Sequence, residues 1–475
     1  MTKRNLITLI VVVLIALHLN AQPVIANCSF ANDLNLVSKK ISCGILPVPE
    51  NHNNPNKKQI DLAYVILKSK TTSNNKYPLI YLTGGPGGKT LTKTRIESFM
   101  QSSFRENRDI VLLDQRGVGY SSALLNMDNE IFQILAKDLS SKEELDEMSK
   151  LITSIQQKIE TDGKKLSNYN TYQNARDIGA LMIHLGYEKY NILGASYGTT
   201  LGRMVQELYP EKLNSVIHNS PSPLSDDFLV TRLESYQLAL QRLFNWCKTD
   251  SQCSKNYSNL ALDYEETIVN LKSKPMVLYI DDEAFTINAQ DGLYLVRRLL
   301  YLNRSKELVP RFIMALKNRN TNFLSNIIQF EKRNIGNLNF SMFLAASSYN
   351  ANTSSVINTI YKNTSIFLTK MGFFDSFYQA GKRWRKKNIE TTTSLNNSTV
   401  PTLISVNYYD PATPPKNGYT FMKKLTNGQL LILDEGGHGR IRNQDCLDKT
   451  FNAFMNNPKQ TLDISCLKIY NSLKS

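Results

Sequence analysis

A serine between two glycines is the first indication of chemistry in this 475-residue sequence. Residues 194–198 read Gly-Ala-Ser-Tyr-Gly, directly after an apolar segment at 190–194 and before a helical pattern that Pro210 ends. A tight turn from strand to helix holds such a serine in a strained conformation with its hydroxyl exposed, and the glycines relieve crowding there. This pattern predicts that Ser196 is a nucleophile.

The serine needs a base, because a serine hydroxyl is a weak nucleophile at neutral pH. Of the five histidines, His438 is preferred, since it lies in the glycine-rich segment 435–439 just after the strand-like run 430–433. Such a loop can bring an imidazole beside the serine at the end of a sheet. His218 also follows an apolar run and is the alternative base.

The third group must orient the imidazole and stabilise its charged form. Asp410 suits this role because it follows the strand-like run 402–406. Asp434 competes with it, but it lies only four residues before His438 and is expected to cap the end of a strand. Ser196, Asp410 and His438 therefore form the predicted catalytic triad.

A second glycine-rich segment, Thr-Gly-Gly-Pro-Gly-Gly at 83–88, follows another apolar run. Glycines let backbone N–H groups point at a developing oxyanion with no side chain in the way. We expect the backbone N–H groups of Gly85 and Tyr197 to form the oxyanion hole. A phosphate-binding loop is the alternative, although Lys89 follows the first glycine too soon for that motif.

The elements that must position these groups are short apolar runs alternating with helical patterns. This alternation predicts a mostly parallel, buried sheet flanked by helices. From 224 to 395 the pattern becomes mainly helical, and strand-like runs then return. The sequence thus predicts an α/β domain interrupted by a helical cap insertion. The expected ranges are a core of 27–223, a cap of 224–395 and a second part of the core at 396–475.

The N-terminus predicts export. Lys3 and Arg4 precede an apolar run from 6 to 17, which as a helix spans about 18 Å and is too short for a ~30 Å membrane core. This pattern is typical of a signal peptide, expected here over 1–26 with cleavage after Ala26. A membrane anchor and a lipid on Cys28 are the alternatives. We expect a periplasmic or secreted protein with no stable membrane anchor after signal removal.

The six cysteines agree with export, because disulfides persist in oxidising compartments. Pairing of neighbours along the chain closes three short loops and is the expected connectivity. A metal site is the alternative, but the chain has no C-x-x-C and no histidine at zinc-like spacing from a cysteine pair. We therefore expect no metal and no cofactor. The predicted pairs are Cys28 with Cys43, Cys247 with Cys253, and Cys446 with Cys466.

The charge balance raises the question of nucleic acid. The chain has 56 basic and 41 acidic side chains, a net charge of +15 and a pI near 9.3. Its densest basic run, 382–387, has Trp384 interleaved, as in a nucleic-acid-binding strip. Because an exported protein rarely meets nucleic acid, we interpret the run as a solvated face of the cap or a contact with an anionic cell envelope. No nucleic-acid partner is expected.

Taken together, five ordered motifs resemble the proline iminopeptidase and tripeptidyl aminopeptidase family of serine α/β-hydrolases, and the secreted tripeptidyl aminopeptidases most closely. The resemblance implies an α/β-hydrolase fold with a mainly helical cap, and a Ser-His-Asp hydrolase. The motifs are Thr-Gly-Gly-Pro-Gly at 83–87, Asp-Gln-Arg-Gly-Val-Gly at 114–119, Gly-Ala-Ser-Tyr-Gly at 194–198, Asp-Pro-Ala-Thr-Pro at 410–414 and Gly-His-Gly at 437–439.

The resemblance also implies an activity, the removal of residues from peptide N-termini through an acyl-enzyme. Its substrates would be peptides with a free N-terminus, and acidic cap residues commonly bind the substrate ammonium in this family. Asp281, Asp282 and Glu283 are candidates for that role.

The sequence departs from the family at several positions. Thr83 stands where histidine is frequent, Asn407 replaces a usual glycine, and His-Asn-Ser-Pro at 218–221 stands where many relatives carry an aspartate. These departures leave open a preference for esters. The alternatives are thus an exported esterase or lipase-like hydrolase, and a non-catalytic binding protein that retains the fold.

Overall fold

The structure is a computed structural model. It describes residues 28–36, 38, 40–71, 77–223, 228–347, 372–381, 384 and 396–470. In that part of the chain, no helix combines the length and apolar character needed to cross a membrane. The predicted signal peptide lies outside the described residues, as does the basic run at 382–387 apart from Trp384, whose side chain is buried.

An eight-stranded sheet forms the centre of the fold, in the order β1-β2-β4-β3-β5-β6-β9-β10. Only β2 runs antiparallel to its neighbours in this sheet, so the predicted mostly parallel α/β fold is confirmed. Strands β7 and β8 form a separate hairpin. The strands are β1 Ile41–Pro49, β2 Gln59–Leu67, β3 Leu79–Leu82, β4 Ile110–Leu113, β5 Tyr190–Ala195, β6 Leu213–Asn219, β7 Met276–Ile280, β8 Glu283–Ile287, β9 Thr402–Asn407 and β10 Gly428–Leu433.

Fifteen α-helices are seen within the described ranges. They are α1 Lys93–Gln101, α2 Asp128–Leu135, α3 Ser141–Thr161, α4 Thr171–His184, α5 Tyr197–Leu208, α6 Phe228–Thr249, α7 Ser251–Asn256, α8 Leu260–Ser273, α9 Ala289–Leu300, α10 Ser305–Lys317, α11 Thr321–Gly336, α12 Phe340–Ala346, α13 Phe373–Gly381, α14 Pro415–Met422 and α15 Gln444–Asn456. Short 3-10 turns occupy Ser103–Arg105, Leu166–Asn168 and Pro210–Lys212.

The helices α6 to α13 and the β7–β8 hairpin have a hydrophobic core of their own. Within the described ranges 228–347 and 372–381, no segment adds a strand to the large sheet. Helices α2 and α3 also belong to this second core, and α3 packs along α13. The cap therefore includes α2 and α3, which precede residue 224, as well as helices of the predicted insertion.

Disulfides join the three predicted cysteine pairs. Cys28–Cys43 ties the first described residues to β1, Cys247–Cys253 closes the step from α6 to α7, and Cys446–Cys466 ties α15 to the segment that follows it. No free cysteine remains among the described residues.

Candidate active site

Ser196 lies in the turn between β5 and α5, with φ 56° and ψ −123°. A positive φ is strained for a residue with a Cβ and persists only where the surroundings enforce it. Here its backbone N–H donates to the carbonyl of Asn219 at 3.0 Å, and its carbonyl accepts from the N–H of Thr199 at 2.9 Å. The turn thus has the geometry predicted for a nucleophile.

The glycines on either side allow this turn to close. A Cβ on Gly198 would overlap the carbonyl oxygen of Leu82, and a Cβ on Gly194 would overlap the carbonyl oxygen of Gly198. Any larger residue at either position would push α5 away from the sheet. The spacing of glycines in the motif therefore follows from backbone packing around Ser196.

Asp410 and His438 form a direct pair. Nδ1 of His438 lies 2.7 Å from Oδ2 and 3.0 Å from Oδ1 of Asp410. The carboxylate also accepts from the backbone N–H groups of Ala412 and Thr413, at 2.8 and 2.9 Å, and from the hydroxyls of Thr413 and Ser220, at 2.7 and 2.9 Å. This many donors hold the carboxylate in one orientation.

The carboxylate of Asp410 stays ionised although it is buried. Burial by itself would raise the pKa of this carboxyl, but the neighbouring imidazole of His438 and the hydrogen bonds outweigh it, so its pKa lies below the ordinary value. An ionised carboxylate on Nδ1 fixes the imidazole with Nδ1 protonated and Nε2 free to take a proton. This is the electrostatic arrangement that a general base requires.

Asn219 links the turn of Ser196 to the loop of His438. Its carbonyl accepts from the N–H of Ser196, and its side-chain amide donates to the carbonyl of Gly439 at 2.6 Å. The next residue, Ser220, donates to Asp410. Segment 218–221, which departs from the family pattern, therefore connects all three predicted triad positions.

The cap also contacts the loop of His438. The backbone N–H of His438 donates to the carbonyl of Tyr301 at 2.8 Å, and the two rings meet edge-on with centroids 5.0 Å apart. The hydroxyl of Tyr301 accepts from Arg297 at 2.7 Å. Sequence reasoning missed Tyr301 and Arg297, because no local motif marks a contact between such distant positions.

The alternative base, His218, is a core residue. Its side chain is fully buried on β6, edge-on to Phe421 at 4.9 Å, and among the described residues neither ring nitrogen has a hydrogen-bond partner. A Cβ on Gly202 of α5 would lie 3.4 Å from its ring. Burial lowers the pKa of His218 to about 3, with a further contribution from Arg203. A ring in this position remains neutral and enclosed.

The glycine-rich loop after β3 lies against Ser196. A Cβ placed on Gly84 would stand 2.7 Å from Cβ and 3.2 Å from Oγ of Ser196. The cap holds the other side of this loop, because the carbonyl of Gly87 accepts from the N–H of Asn339 at 2.8 Å. The loop that contains Gly85 is thus held directly beside the serine hydroxyl.

The motif at 114–119 holds the segment that directly follows this loop. The buried carboxylate of Asp114 accepts from the backbone N–H groups of Thr90 and Leu91, at 2.7 and 3.0 Å. Two residues on, Arg116 donates to both carboxylate oxygens of Asp177, at 2.7 and 2.6 Å, and both side chains are buried. These residues order the site and do not themselves line it.

The ammonium candidates occupy a different place. Asp281 and Asp282 form the turn of the β7–β8 hairpin, and Glu283 follows them. The side chain of Asp281 is 62% exposed and pairs with Lys332 at 2.8 Å. An exposed hairpin turn does not enclose a substrate ammonium, so the structure does not support these three residues in that role.

Among the residues that the structure describes, no three or more histidine, cysteine, aspartate or glutamate side chains are grouped to hold a metal ion.

Comparison with known proteins places the chain in a family. The model of the alpha/beta hydrolase fold matches residues 77–439. The chain belongs to this family. The tripeptidyl aminopeptidase of Streptomyces coelicolor is 34% identical over 198 residues, which make up 40% of this chain and 36% of that protein. The match thus spans about a third of that relative, and it confirms the resemblance to tripeptidyl aminopeptidases.

Other relatives extend the comparison. Serine protease Hip1 of Mycobacterium tuberculosis is 25% identical over 221 residues, 45% of this chain and 42% of that protein. A crystal structure of proline iminopeptidase from Mycobacterium smegmatis covers 87% of this chain and 98% of its own, with a TM-score of 0.41 and 13% identity. The relatives named as a tripeptidyl aminopeptidase and a serine protease relate this alpha/beta hydrolase to serine peptidases.

Proposed function

We propose that this protein is an exported serine peptidase that removes residues from the N-termini of peptides through an acyl-enzyme. Ser196 is the nucleophile, His438 the general base and Asp410 the group that orients it. The observation that carries the proposal is the pair of buried Asp410 and partly buried His438. Asn219 joins the loop of His438 to the strained turn of Ser196.

In the proposed mechanism, Oγ of Ser196 attacks the substrate carbonyl while Nε2 of His438 takes its proton. The ionised Asp410 stabilises the imidazolium that forms. The backbone N–H groups of Gly85 and Tyr197 bind the oxyanion of the tetrahedral intermediate. His438 then protonates the leaving amine, and a water molecule activated by the same imidazole releases the acyl group from Ser196.

Two further features support export and the preference for a free N-terminus. Three disulfides are typical of an oxidising compartment, and relatives of this chain are named as a tripeptidyl aminopeptidase and a serine protease. Cap residues contact both the loop of His438, through Tyr301, and the glycine loop, through Asn339. A cap in contact with both loops limits the space beyond the scissile bond. The proposed ranges are a signal peptide over 1–26, a core of 27–223 plus 396–475 and a cap insertion of 224–395, onto which α2 and α3 from the first part of the core also pack.

Labelling and a substrate panel test the proposal. A fluorophosphonate should label the wild type at Ser196 and should not label Ser196→Ala. Aminoacyl, prolyl and tripeptidyl amides with free N-termini should be cleaved, and their N-acetylated forms should not. Asp410→Asn should lower kcat about 10⁴-fold, since the imidazole would lose its correct tautomer.

Each negative result has a distinct meaning. Absence of labelling would favour a binding protein that retains the fold. Turnover of simple esters alone, or equal cleavage of free and N-acetylated peptides, would refute the aminopeptidase and favour an esterase or an endopeptidase.

A further inference from the structure

A cleft of about 570 Å³ lies behind the loop that carries His438. One wall is formed by the end of α6 and by α7, including Trp246 and Asp250, and the other by the first turn of α10 and the loop after β10, including Lys306 and Asp434. Ser196 and His438 do not line it. Its volume is in the range of small-molecule sites.

Several cations face this cleft without a carboxylate in ion-pair contact among the described residues. Among the described residues, Lys306, Arg311 and Lys468 make no ion pair, although all three line the cleft. Nζ of Lys306 instead lies 4.0 Å from the ring centroid of Tyr409 and 5.1 Å from that of Trp246. Burial lowers the pKa of Lys306, and nearby Asp434 opposes that shift. Acidic groups thus lie near this half-buried ammonium, but none of the described ones is within ion-pair distance, which leaves room for a ligand anion in contact with it.

The start of α10 adds to this preference. The helix begins at Ser305 and runs for 13 residues, and the side chain of its N-cap residue Arg304 caps no backbone N–H but donates from Nε to Glu307 in the first turn, at 2.9 Å. Lys306 therefore lies where the positive end of the helix dipole meets the cleft. The N–H groups of Ser305 and Glu307 already donate to the carbonyls of Leu302 and Arg304, at 3.0 Å each, so a carboxylate bound here would contact chiefly the ammonium of Lys306.

Acidic groups balance the cations along the lining of the cleft. The carboxylate of Asp434 has no ion pair among the described residues, whereas that of Glu307 pairs with Arg442. The lining as a whole has no net charge, so it suits a molecule with both signs. The basic members are Lys306, Arg311, Arg442 and Lys468, and the acidic members are Asp250, Glu307, Asp434 and Glu435.

We propose that this cleft is a second binding site, for a short peptide with free termini. Its carboxylate would lie at Lys306 and the start of α10, its ammonium at Asp434, and a side chain against Trp246. The choice of a peptide among zwitterions rests on the proposed function, because such an enzyme releases short peptides. The charge pattern does not depend on that function.

The site borders both catalytic loops. Tyr409, which contacts Lys306, directly precedes Asp410, and Gly436, which lines the cleft, lies two residues before His438. A Cβ on Gly436 would overlap Ser305 Oγ at the start of α10. A ligand in the cleft would therefore touch segments packed against the His438 loop, while leaving Ser196 accessible.

Titration of the Ser196→Ala protein with trialanine tests the site without turnover. Calorimetry should show saturable binding. N-acetyl-trialanine, trialanine amide and free alanine should each bind at least tenfold more weakly. Lys306→Met, which keeps the aliphatic stem, and Asp434→Asn should each weaken trialanine binding at least tenfold. The control Lys142→Met removes an exposed charge that lines no part of the cleft and should change affinity less than twofold.

Several results would overturn the proposal. Absence of trialanine binding, or binding that neither Lys306→Met nor Asp434→Asn weakens, would remove the site. Equal binding of the acetylated or amidated peptide would show that one terminus suffices, and equal binding of alanine would exclude a peptide-sized occupant. Fluorophosphonate labelling of Ser196 is scored separately, so a failed nucleophile and a failed cleft give different results.

Discussion

Replacing His218 by leucine should make the protein more stable in mild acid and leave catalysis intact. The ring is fully buried, neither nitrogen has a hydrogen-bond partner in the described part of the chain, and burial lowers its pKa to about 3. In the unfolded chain the same group has a pKa of about 6.5. Between these values the unfolded state binds a proton that the folded state does not, so stability is full above about pH 6.5 and is lost as the pH falls towards 3.

The size of the effect follows from the two pKa values. A gap of about 3.5 pH units, at about 1.36 kcal/mol for each unit, corresponds to about 5 kcal/mol below pH 3. At pH 5 the free energy of unfolding should be about 2 kcal/mol lower than at neutral pH, because pH 5 lies about 1.5 units below the pKa of about 6.5 in the unfolded chain. Leucine does not titrate, so His218→Leu should not lose these roughly 2 kcal/mol of unfolding free energy in acid, a figure that follows from the two pKa values above.

Urea unfolding at pH 7.5 and pH 5.0, with the disulfides intact, measures the difference. The free energy of unfolding should fall by about 2 kcal/mol less for His218→Leu than for the wild type. His184→Gln is the matched control, because that histidine is exposed and its loss should leave the pH dependence unchanged. Ester or peptide turnover at pH 7.5 should remain within about threefold of the wild type, a change of about 0.7 kcal/mol in the barrier.

An unchanged pH dependence in His218→Leu would refute the account of the buried ring. A loss of turnover in a folded His218→Leu protein, with turnover kept in His438→Gln, would instead show that the wrong base had been assigned.

Three further changes test the packing and hydrogen bonding of the site. Gly198→Ala should reduce soluble yield and the thermal midpoint, because its Cβ would overlap a backbone carbonyl, whereas Gly336→Ala, with its nearest neighbour 3.9 Å away, should lower neither. Arg116→Met should lower the free energy of unfolding in urea by about 3–5 kcal/mol, since the buried carboxylate of Asp177 would lose its guanidinium partner and keep the imidazole of His52, 2.7 Å away. Thr413→Val removes a 2.7 Å hydrogen bond to the buried carboxylate of the site and should lower kcat about tenfold with KM unchanged, an effect of about 1.4 kcal/mol.

Opposite results would count against each argument. A wild-type midpoint for Gly198→Ala would mean that α5 can move from the sheet at little cost. A loss below about 1 kcal/mol for Arg116→Met would mean that His52 or water is enough to satisfy the carboxylate of Asp177. A raised KM with unchanged kcat for Thr413→Val would show that this hydroxyl acts on substrate binding.

Local patterns predicted the parts of the structure that depend on neighbouring residues. The turn of Ser196 could be read from the sequence because its backbone requires glycine at 194 and at 198, two positions on either side. The buried strands could be read because a strand covered on both faces is apolar throughout. The disulfides could be read because neighbouring cysteines close short loops.

Contacts between distant segments were decided by the tertiary structure. Sequence left His218 and His438 as alternatives, since both follow apolar runs. The packing of β6 beneath α5 buries His218, whereas the loop after β10 brings His438 to Asp410. The roles of Asn219 and Tyr301 likewise have no local signal, because each depends on a hydrogen bond to a loop far along the chain.

The sequence by itself determined the chemistry available and the class of fold, because residue types, glycine spacing and apolar periodicity act over a few residues. Only the tertiary structure decided which histidine faces Asp410, which cap helices meet the site and where a second cleft forms. Those outcomes depend on how the sheet and the cap pack, and packing depends on the whole chain at once.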